Sequence, residues 1–153
     1  MDTLDIPATS LYCHAKRAEF ILMRMCQPEG SGVITAWGKF VYLSADDLRQ
    51  KGLKIILKDL KEFPSRDSSF GSEFTGTPEH KRKLRKMLRD YWSVSISLRD
   101  GPELWLDPIV ETGRDRGTGF AEDRIFVPLP CSNKKFYDCL KQAFEKCCVA
   151  YTR

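Results

Sequence analysis

The chain has 153 residues and carries 25 Lys and Arg against 21 Asp and Glu, a net charge of +4 at pH 7. With 42% hydrophobic and 30% charged residues the composition is that of a globular protein, which excludes an intrinsically disordered chain. The length predicts a single domain over residues 1–153, and no apolar run approaches the ~20 residues of a membrane-spanning helix.

The chain start and the cysteines indicate a cellular compartment. Residues 1–7 include Asp2 and Asp5 and no basic residue, so we expect no signal peptide and a cytoplasmic protein with no membrane partner. A chain of this length and apolar content does not need a disulfide framework. We therefore expect all six cysteines to be thiols.

The N-terminal third predicts a sheet that leads into a helix. Residues 1–12 resemble a loosely ordered leader, and the apolar run 18–25 fits either a buried strand or a short helix. Residues 33–43 are rich in β-branched and aromatic side chains and predict a strand, with Gly38 as a possible bulge. Ser44 then predicts an N-cap for a helix over 45–62, because its hydroxyl can accept a first-turn N–H.

A cationic segment over residues 79–90 follows a polar loop. It holds six basic residues against two acidic ones, a local excess equal to the net charge of the whole chain. The rest of the chain is therefore balanced in charge. Leu84, Met87, Leu88 and Tyr91 recur at helical spacing, which predicts an amphipathic helix over 80–91 with a basic outer side.

The C-terminal half predicts further strands and a last helix. Residues 92–98 and 104–110 predict a β-hairpin, residues 112–123 an exposed glycine-rich loop, and residues 124–129 another strand. An amphipathic helix is expected over 133–148, capped by Ser132 or Asn133. The fold class is α+β, with a mostly antiparallel central sheet flanked by about three helices.

Three candidate chemical sites are weak. Cys13 and His14 are adjacent, but neighbouring residues rarely point at one reacting atom. The cysteine spacings do not match zinc-binding pairs. The glycines of residues 112–119 are not followed by the Lys-Ser/Thr of a Walker phosphate loop. We therefore expect no enzyme activity, no cofactor and no metal.

Two stretches of the chain are similar to a known family. They are residues 32–48 with 52–63, and residues 123–136 with 143–147. These stretches resemble small immunity proteins of bacterial contact-dependent growth inhibition systems. The resemblance implies a cytosolic, non-enzymatic protein that binds the toxic C-terminal domain of a delivered effector, often a nuclease, and blocks its active site.

The favoured hypothesis is therefore an immunity protein that neutralises a cognate toxin domain, and exposure and charge suggest its contact residues. The glycine-rich loop is the first choice and the basic helix the second; together they supply Arg114, Asp115, Arg116, Glu122, Asp123, Lys81, Arg82, Arg85 and Arg89. The alternative is a small nucleic-acid-binding protein that uses the basic helix over 80–90, since Lys and Arg neutralise phosphates. A third hypothesis, an enzyme using Cys13 and His14, requires a depressed Cys13 pKa.

Overall fold

The computed structural model describes residues 7–14, 17–26, 35–62, 82, 86, 89–112, 115–119 and 123–151. These contain seven strands and two helices with defined bounds. The elements are β1 (Ala8–His14), β2 (Glu19–Cys26), β3 (Thr35–Ser44), α1 (Ala45–Glu62), β4 (Tyr91–Arg99), β5 (Glu103–Thr112), β6 (Asp115–Gly119), β7 (Ile125–Pro128) and α2 (Asn133–Tyr151).

The strands form one antiparallel sheet in the order β3-β2-β1-β4-β5-β6. Strand β7 also pairs with β5, from Glu103 to Leu106, whereas β6 pairs with the other end of β5 from Ile109 to Thr112. Since β4 occupies one side of β5 along this length, β6 and β7 both lie on its other side. The α+β class and the antiparallel sheet are confirmed.

Both helices pack on the same face of the sheet. Helix α1 contacts β1, β2 and β3, while α2 crosses β4 and β5 and packs against α1. Leu11, Val94 and Leu106 of the sheet share one core with Leu60 of α1 and Phe136 of α2, all with 0% exposure. Burying such side chains stabilises the fold by ~1.5–3 kcal/mol each.

The helix starts follow the capping chemistry that the sequence predicts. At α1, Ser44 Oγ accepts from the Asp47 backbone N–H at 3.1 Å, and Asp47 Oδ2 accepts from the Ser44 N–H at 3.0 Å. This reciprocal pair satisfies two backbone donors. At α2, Ser132 Oγ accepts from the Lys135 N–H at 3.1 Å, so Ser132 is the cap. Asn133 instead donates its side-chain amide to the Gln50 carbonyl at 2.8 Å and ties the two helices together.

Two predicted strand features are resolved. The apolar run 18–25 forms strand β2 rather than a helix. The pairing of β2 with β3 shifts between Met23 and Met25, opposite the segment of β3 from Ala36 to Phe40. That segment contains Gly38, so the predicted bulge position agrees with the structure.

Three predictions require correction. The leader 1–12 is not loosely ordered throughout, because residues 8–12 belong to β1, which is paired on both sides. The glycine-rich loop 112–123 is in part strand β6, since pairing to β5 outweighs its weak strand propensity.

The third correction concerns the basic helix over 80–91. Arg82 and Lys86 are helical, but residues 89–90 form a turn and Tyr91 begins β4, where it pairs with His14. The other residues of this segment lie outside the described ones. Within the described ranges, two helices with defined bounds rather than about three accompany the sheet, apart from the helical residues Arg82 and Lys86.

Candidate interaction surface

The sheet face opposite α1 and α2, called the outer face here, carries the most concentrated set of polar and aromatic side chains. Strand side chains alternate between faces, so burial of Leu104 and Leu106 in the core places Glu103, Trp105 and Asp107 on the outer face. The register of β5 against β4 and against β7 then determines which side chains of those two strands lie beside them.

Trp105 is the centre of this group. Its ring lies between β4 and β7: Ser97 is its direct partner in β4 and Phe126 its direct partner in β7. The guanidinium carbon of Arg99 lies 4.1 Å from the Trp105 ring centroid, and that of Arg124 lies 4.0 Å away. Two cation–π contacts therefore reach one indole, one from β4 and one from the residue that precedes β7, each contributing ~0.5–1 kcal/mol or more as desolvation increases.

Hydrogen bonds fix the two arginines differently. Arg124 Nε donates to Asp107 Oδ1 at 2.6 Å, and both side chains are largely buried, with 22% and 17% exposure. Arg99 Nε donates to Ser97 Oγ at 3.1 Å, a neutral acceptor. Within the described part of the chain no ion pair to Arg99 is found. Arg124 is thus charge-neutralised inside the protein. Arg99 has no carboxylate within ion-pair distance among the described residues, although Glu103 is its direct partner across β4 and β5.

Two further side chains complete the group. Trp105 Nε1 donates to Glu103 Oε1 at 2.7 Å, which fixes the ring orientation. The Phe126 ring meets the Trp105 ring edge-on, with centroids 5.7 Å apart and planes at 83°, and 52% of Phe126 remains exposed. We call Arg99, Glu103, Trp105, Asp107, Arg124 and Phe126 the Trp105 cluster.

A second polar group lies on the outer face where β1 and β2 meet. Arg17 can only donate, so His14 Nε2 accepts from Arg17 Nη2 at 3.1 Å. Arg17 also lies 3.6 Å from a Glu19 carboxylate oxygen, and the His14 ring meets the Tyr91 ring edge-on at 5.1 Å. Burial, followed by the negative charge of Glu19, raises the pKa of Tyr91.

The structure contradicts the nucleophile–base pairing of Cys13 with His14. Cys13 lies against the helix-side core while His14, one residue later in β1, is on the outer face. Burial raises the pKa of Cys13 to about 11, the opposite of an activated thiol. Within the described ranges, no three His, Cys, Asp or Glu side chains are grouped closely enough to hold a metal ion.

The predicted contact residues fall in different places. Asp115 and Arg116 belong to β6. Asp123 is half-buried next to Arg124, and its backbone carbonyl accepts from Lys146 Nζ at 3.1 Å. Arg82 and Arg89 are exposed. The other predicted contact residues, Arg114, Glu122, Lys81 and Arg85, lie outside the described residues.

The sequence reasoning missed the Trp105 cluster, although one signal for it was present. Residues 103–107 alternate polar or amphipathic side chains with leucines, which predicts that Glu103, Trp105 and Asp107 share a face. The neighbours Arg99, Arg124 and Phe126 could be added only from the register of β4 and β7 against β5.

No protein-family model and no curated protein sequence matches the chain. Two solved structures share its fold. One is a protein of unknown function from Neisseria meningitidis, with a TM-score of 0.61 and 19% identity, covering 92% of this chain and 95% of that one. The other is a chain of the CdiA-CT/CdiI toxin and immunity complex from Yersinia pseudotuberculosis, with a TM-score of 0.61 and 15% identity, covering 94% of this chain and 99% of that one.

The structural likeness extends over nearly the whole length of all three chains. At these identities it establishes a common fold. Among the described residues, neither helix is long and apolar enough to cross a membrane.

Proposed function

We propose that this protein is an immunity protein that binds and neutralises a cognate contact-dependent growth inhibition toxin domain. The observation that carries the proposal is the fold shared with a chain of a toxin and immunity complex over 94% of this chain. The sequence resemblance to immunity proteins of these systems, which covers residues 32–48, 52–63, 123–136 and 143–147, supports the immunity role rather than the toxin role.

The proposed mechanism is steric occlusion of the toxin's active site, which we take to be that of a nuclease, without catalysis by this chain. The protein would act in the cytoplasm, where a delivered toxin meets its substrate. A tight, selective complex of this kind needs a few well-packed anchor residues and complementary charges around them. The outer face carries both signs of charge beyond the Arg124–Asp107 pair, in Arg99 and Glu103, so a net basic inhibitor can still present an acidic side chain to a basic toxin surface.

The contact surface proposed from the sequence starts with the loop residues Arg114, Asp115, Arg116, Glu122 and Asp123. Its position supports the proposal in one respect: Asp123 immediately precedes Arg124 of the Trp105 cluster. Replacing all five by alanine is expected to weaken binding of the toxin domain. Unchanged affinity in that variant would remove this loop from the interface.

Growth of cells that express the two partners tests the proposed function. Three strains would carry this chain alone, the C-terminal toxin domain encoded immediately upstream of its gene alone, or both together. The proposal expects growth arrest from the upstream domain, rescue by co-expression and normal growth with this chain alone. Arrest caused by this chain itself would assign it the toxin role, and arrest that co-expression does not relieve would contradict the immunity role.

The alternative is nucleic-acid binding through the basic segment, where the described residues Arg82, Lys86 and Arg89 are all exposed. Phosphate contacts of this kind release counterions, so affinity for RNA or DNA would fall steeply as salt is raised. A salt titration of RNA binding by the purified protein measures this directly. Binding that disappears in an Arg82→Ala/Lys86→Ala/Arg89→Ala variant would favour the alternative.

A further inference from the structure

The two arginines of the Trp105 cluster differ in their partners: one pairs with a carboxylate of the protein, and the other has no carboxylate partner among the described residues. Arg124 pairs with Asp107 at 2.6 Å and stacks on Trp105, so its charge is compensated within the protein. Arg99 stacks on the same ring but donates only to the Ser97 hydroxyl among the described residues. We propose that Arg99 and Phe126 anchor the toxin interface, and that Arg99 receives a carboxylate side chain of the toxin. This inference rests on the proposed immunity function.

The geometry of Arg99 suits a carboxylate. Stacking on an aromatic ring uses the face of the guanidinium and leaves its in-plane N–H groups directed outward. Since Nε is bonded to Ser97 and the terminal nitrogens have no acceptor among the described residues, these two nitrogens remain as donors, and a pair of donors matches the two oxygens of a carboxylate. The ring and the hydroxyl hold the side chain in one arrangement, so little rotamer freedom is lost when the partner binds.

Phe126 supplies the apolar half of the anchor. It is 52% exposed although it packs edge-on against Trp105, and it lies on β7, beside β5 at the edge of the sheet. Phe is enriched at the cores of protein interfaces, and the neighbouring residue types Trp and Arg are among those that dominate binding energy there. A toxin surface that covers both Phe126 and Arg99 would exclude water from Arg99, which strengthens its ion pair.

The charges of the cluster select a protein partner over a polyanion. Glu103 and Asp107 lie on the same face as Arg99, and Glu103 is its direct partner across β4 and β5. Arg99 and Arg124 balance Glu103 and Asp107, so the cluster is net neutral and offers a nucleic-acid backbone no net attraction, whereas a protein surface can present one carboxylate to Arg99 and a donor to Glu103. The occupant is therefore a folded toxin surface with an acidic side chain beside an apolar one.

Isothermal titration of the upstream toxin domain, in a catalytically inactive form, into variants of this protein tests the inference. Arg99→Ala and Phe126→Ala are each expected to weaken binding by roughly 30-fold or more, the loss typical of interface anchors. Arg99→Lys keeps the charge but loses the planar pair of donors, so its affinity is expected to lie between those of Arg99→Ala and the wild type.

Two control variants match these changes elsewhere on the protein. Arg49 lies 5.9 Å from the Tyr137 ring and bonds Asp46, but it belongs to α1 on the other side of the sheet. Tyr42 is a 69% exposed aromatic on the far edge strand β3. Arg49→Ala and Tyr42→Ala should bind like the wild type, and circular dichroism melts should show that all variants are folded.

The outcomes distinguish an error in the proposed surface from an error in the proposed function. If the wild type forms no complex, the immunity function itself fails. If the wild type binds tightly and the Arg99 and Phe126 variants bind equally well, the function stands and this surface is wrong. A loss confined to Tyr42→Ala would likewise overturn it and move the interface to the β3 edge.

Discussion

The two faces of the sheet are built from alternate residues of the same strands but differ in burial and in side-chain chemistry. The helix-side face carries Leu11, Val94 and Leu106, all with 0% exposure, packed under α1 and α2. The outer face of β4, β5 and β7 carries an indole held by two guanidinium groups and an exposed Phe126. On β4 and β5 the core residues and the proposed recognition surface are therefore one step apart along a strand, whereas on β2 the outer-face residues Ile21 and Met23 are buried too.

Trp105 and Leu106 show this division at adjacent positions. Leu106 pairs with Ile96 and Ile125 in a layer of apolar side chains, so its contribution is burial. Trp105 pairs with Ser97 and Phe126 and makes four side-chain contacts with charged or aromatic groups. Substitutions on the two faces should consequently separate loss of folding from loss of binding.

The largest effect is expected for Leu106→Ala. Removing a fully buried leucine loses its transfer free energy and leaves a cavity, which costs ~2–5 kcal/mol of unfolding free energy. Urea denaturation followed by circular dichroism measures this loss. The protein that remains folded should still bind the toxin domain with wild-type affinity, and a selective loss of affinity at unchanged stability would contradict the division between the faces.

Trp105→Ala should show the reverse pattern. It removes the ring that positions Arg99 and Arg124, so toxin binding should weaken by ~2 kcal/mol or more. The unfolding free energy should also fall, because two cation–π contacts of ~0.5–1 kcal/mol each, the hydrogen bond to Glu103 and the packing against Phe126 are lost. Titration calorimetry measures the affinity for the toxin domain, and urea denaturation of the same sample measures the unfolding free energy. A variant that loses stability but binds normally would place Trp105 among the structural residues.

Ser44→Ala is expected to lower stability by ~1 kcal/mol, because the hydroxyl is the N-cap of α1. Toxin affinity should not change, since the cap lies away from the Trp105 cluster. Thermal melts measure the first effect and titration calorimetry the second.

The same cap predicts that the stability of the protein depends on pH in the acidic range. The Ser44 backbone N–H donated to Asp47 holds the pKa of that carboxyl below its usual value. The stabilisation is present above the unfolded-state pKa, and it is lost as pH falls through the lower folded-state pKa. Asp47→Asn should therefore flatten the decline of the melting temperature in this acidic range. An unchanged pH profile in that variant would show that the cap carboxylate contributes nothing measurable.

The smallest effect concerns the thiols. Burial raises the pKa of Cys13 to about 11 and that of Cys147 to about 12, so both are neutral near pH 7. Their neutral forms favour the folded state, and this stabilisation is complete below the unfolded-state pKa and lost as pH rises through the folded values. Cys13 should resist iodoacetamide at neutral pH in the native protein, and Cys13→Ser should leave toxin neutralisation intact. Rapid labelling detected by mass spectrometry would indicate a reactive thiol.

The parts of the fold that could be predicted are those set by local chemistry. Helices α1 and α2, the hairpin of β4 and β5, and the Ser44 cap all follow from periodicity, turns and capping residues near in sequence. The strand character of β1 and β6 depends on pairing with distant partners, and composition gave no strong local signal for either. The Trp105 cluster was missed for the same reason, because Arg99, Trp105 and Arg124 are assembled by strand register rather than by sequence neighbourhood.

The most direct test of the account is to titrate the activity of the purified upstream toxin domain with this protein. An immunity protein that occludes the active site should reduce the toxin's activity in proportion to the amount added, to zero at one-to-one stoichiometry, and Arg99→Ala should require a large excess. Toxin activity that persists at saturating amounts of the wild-type protein would contradict the proposed function.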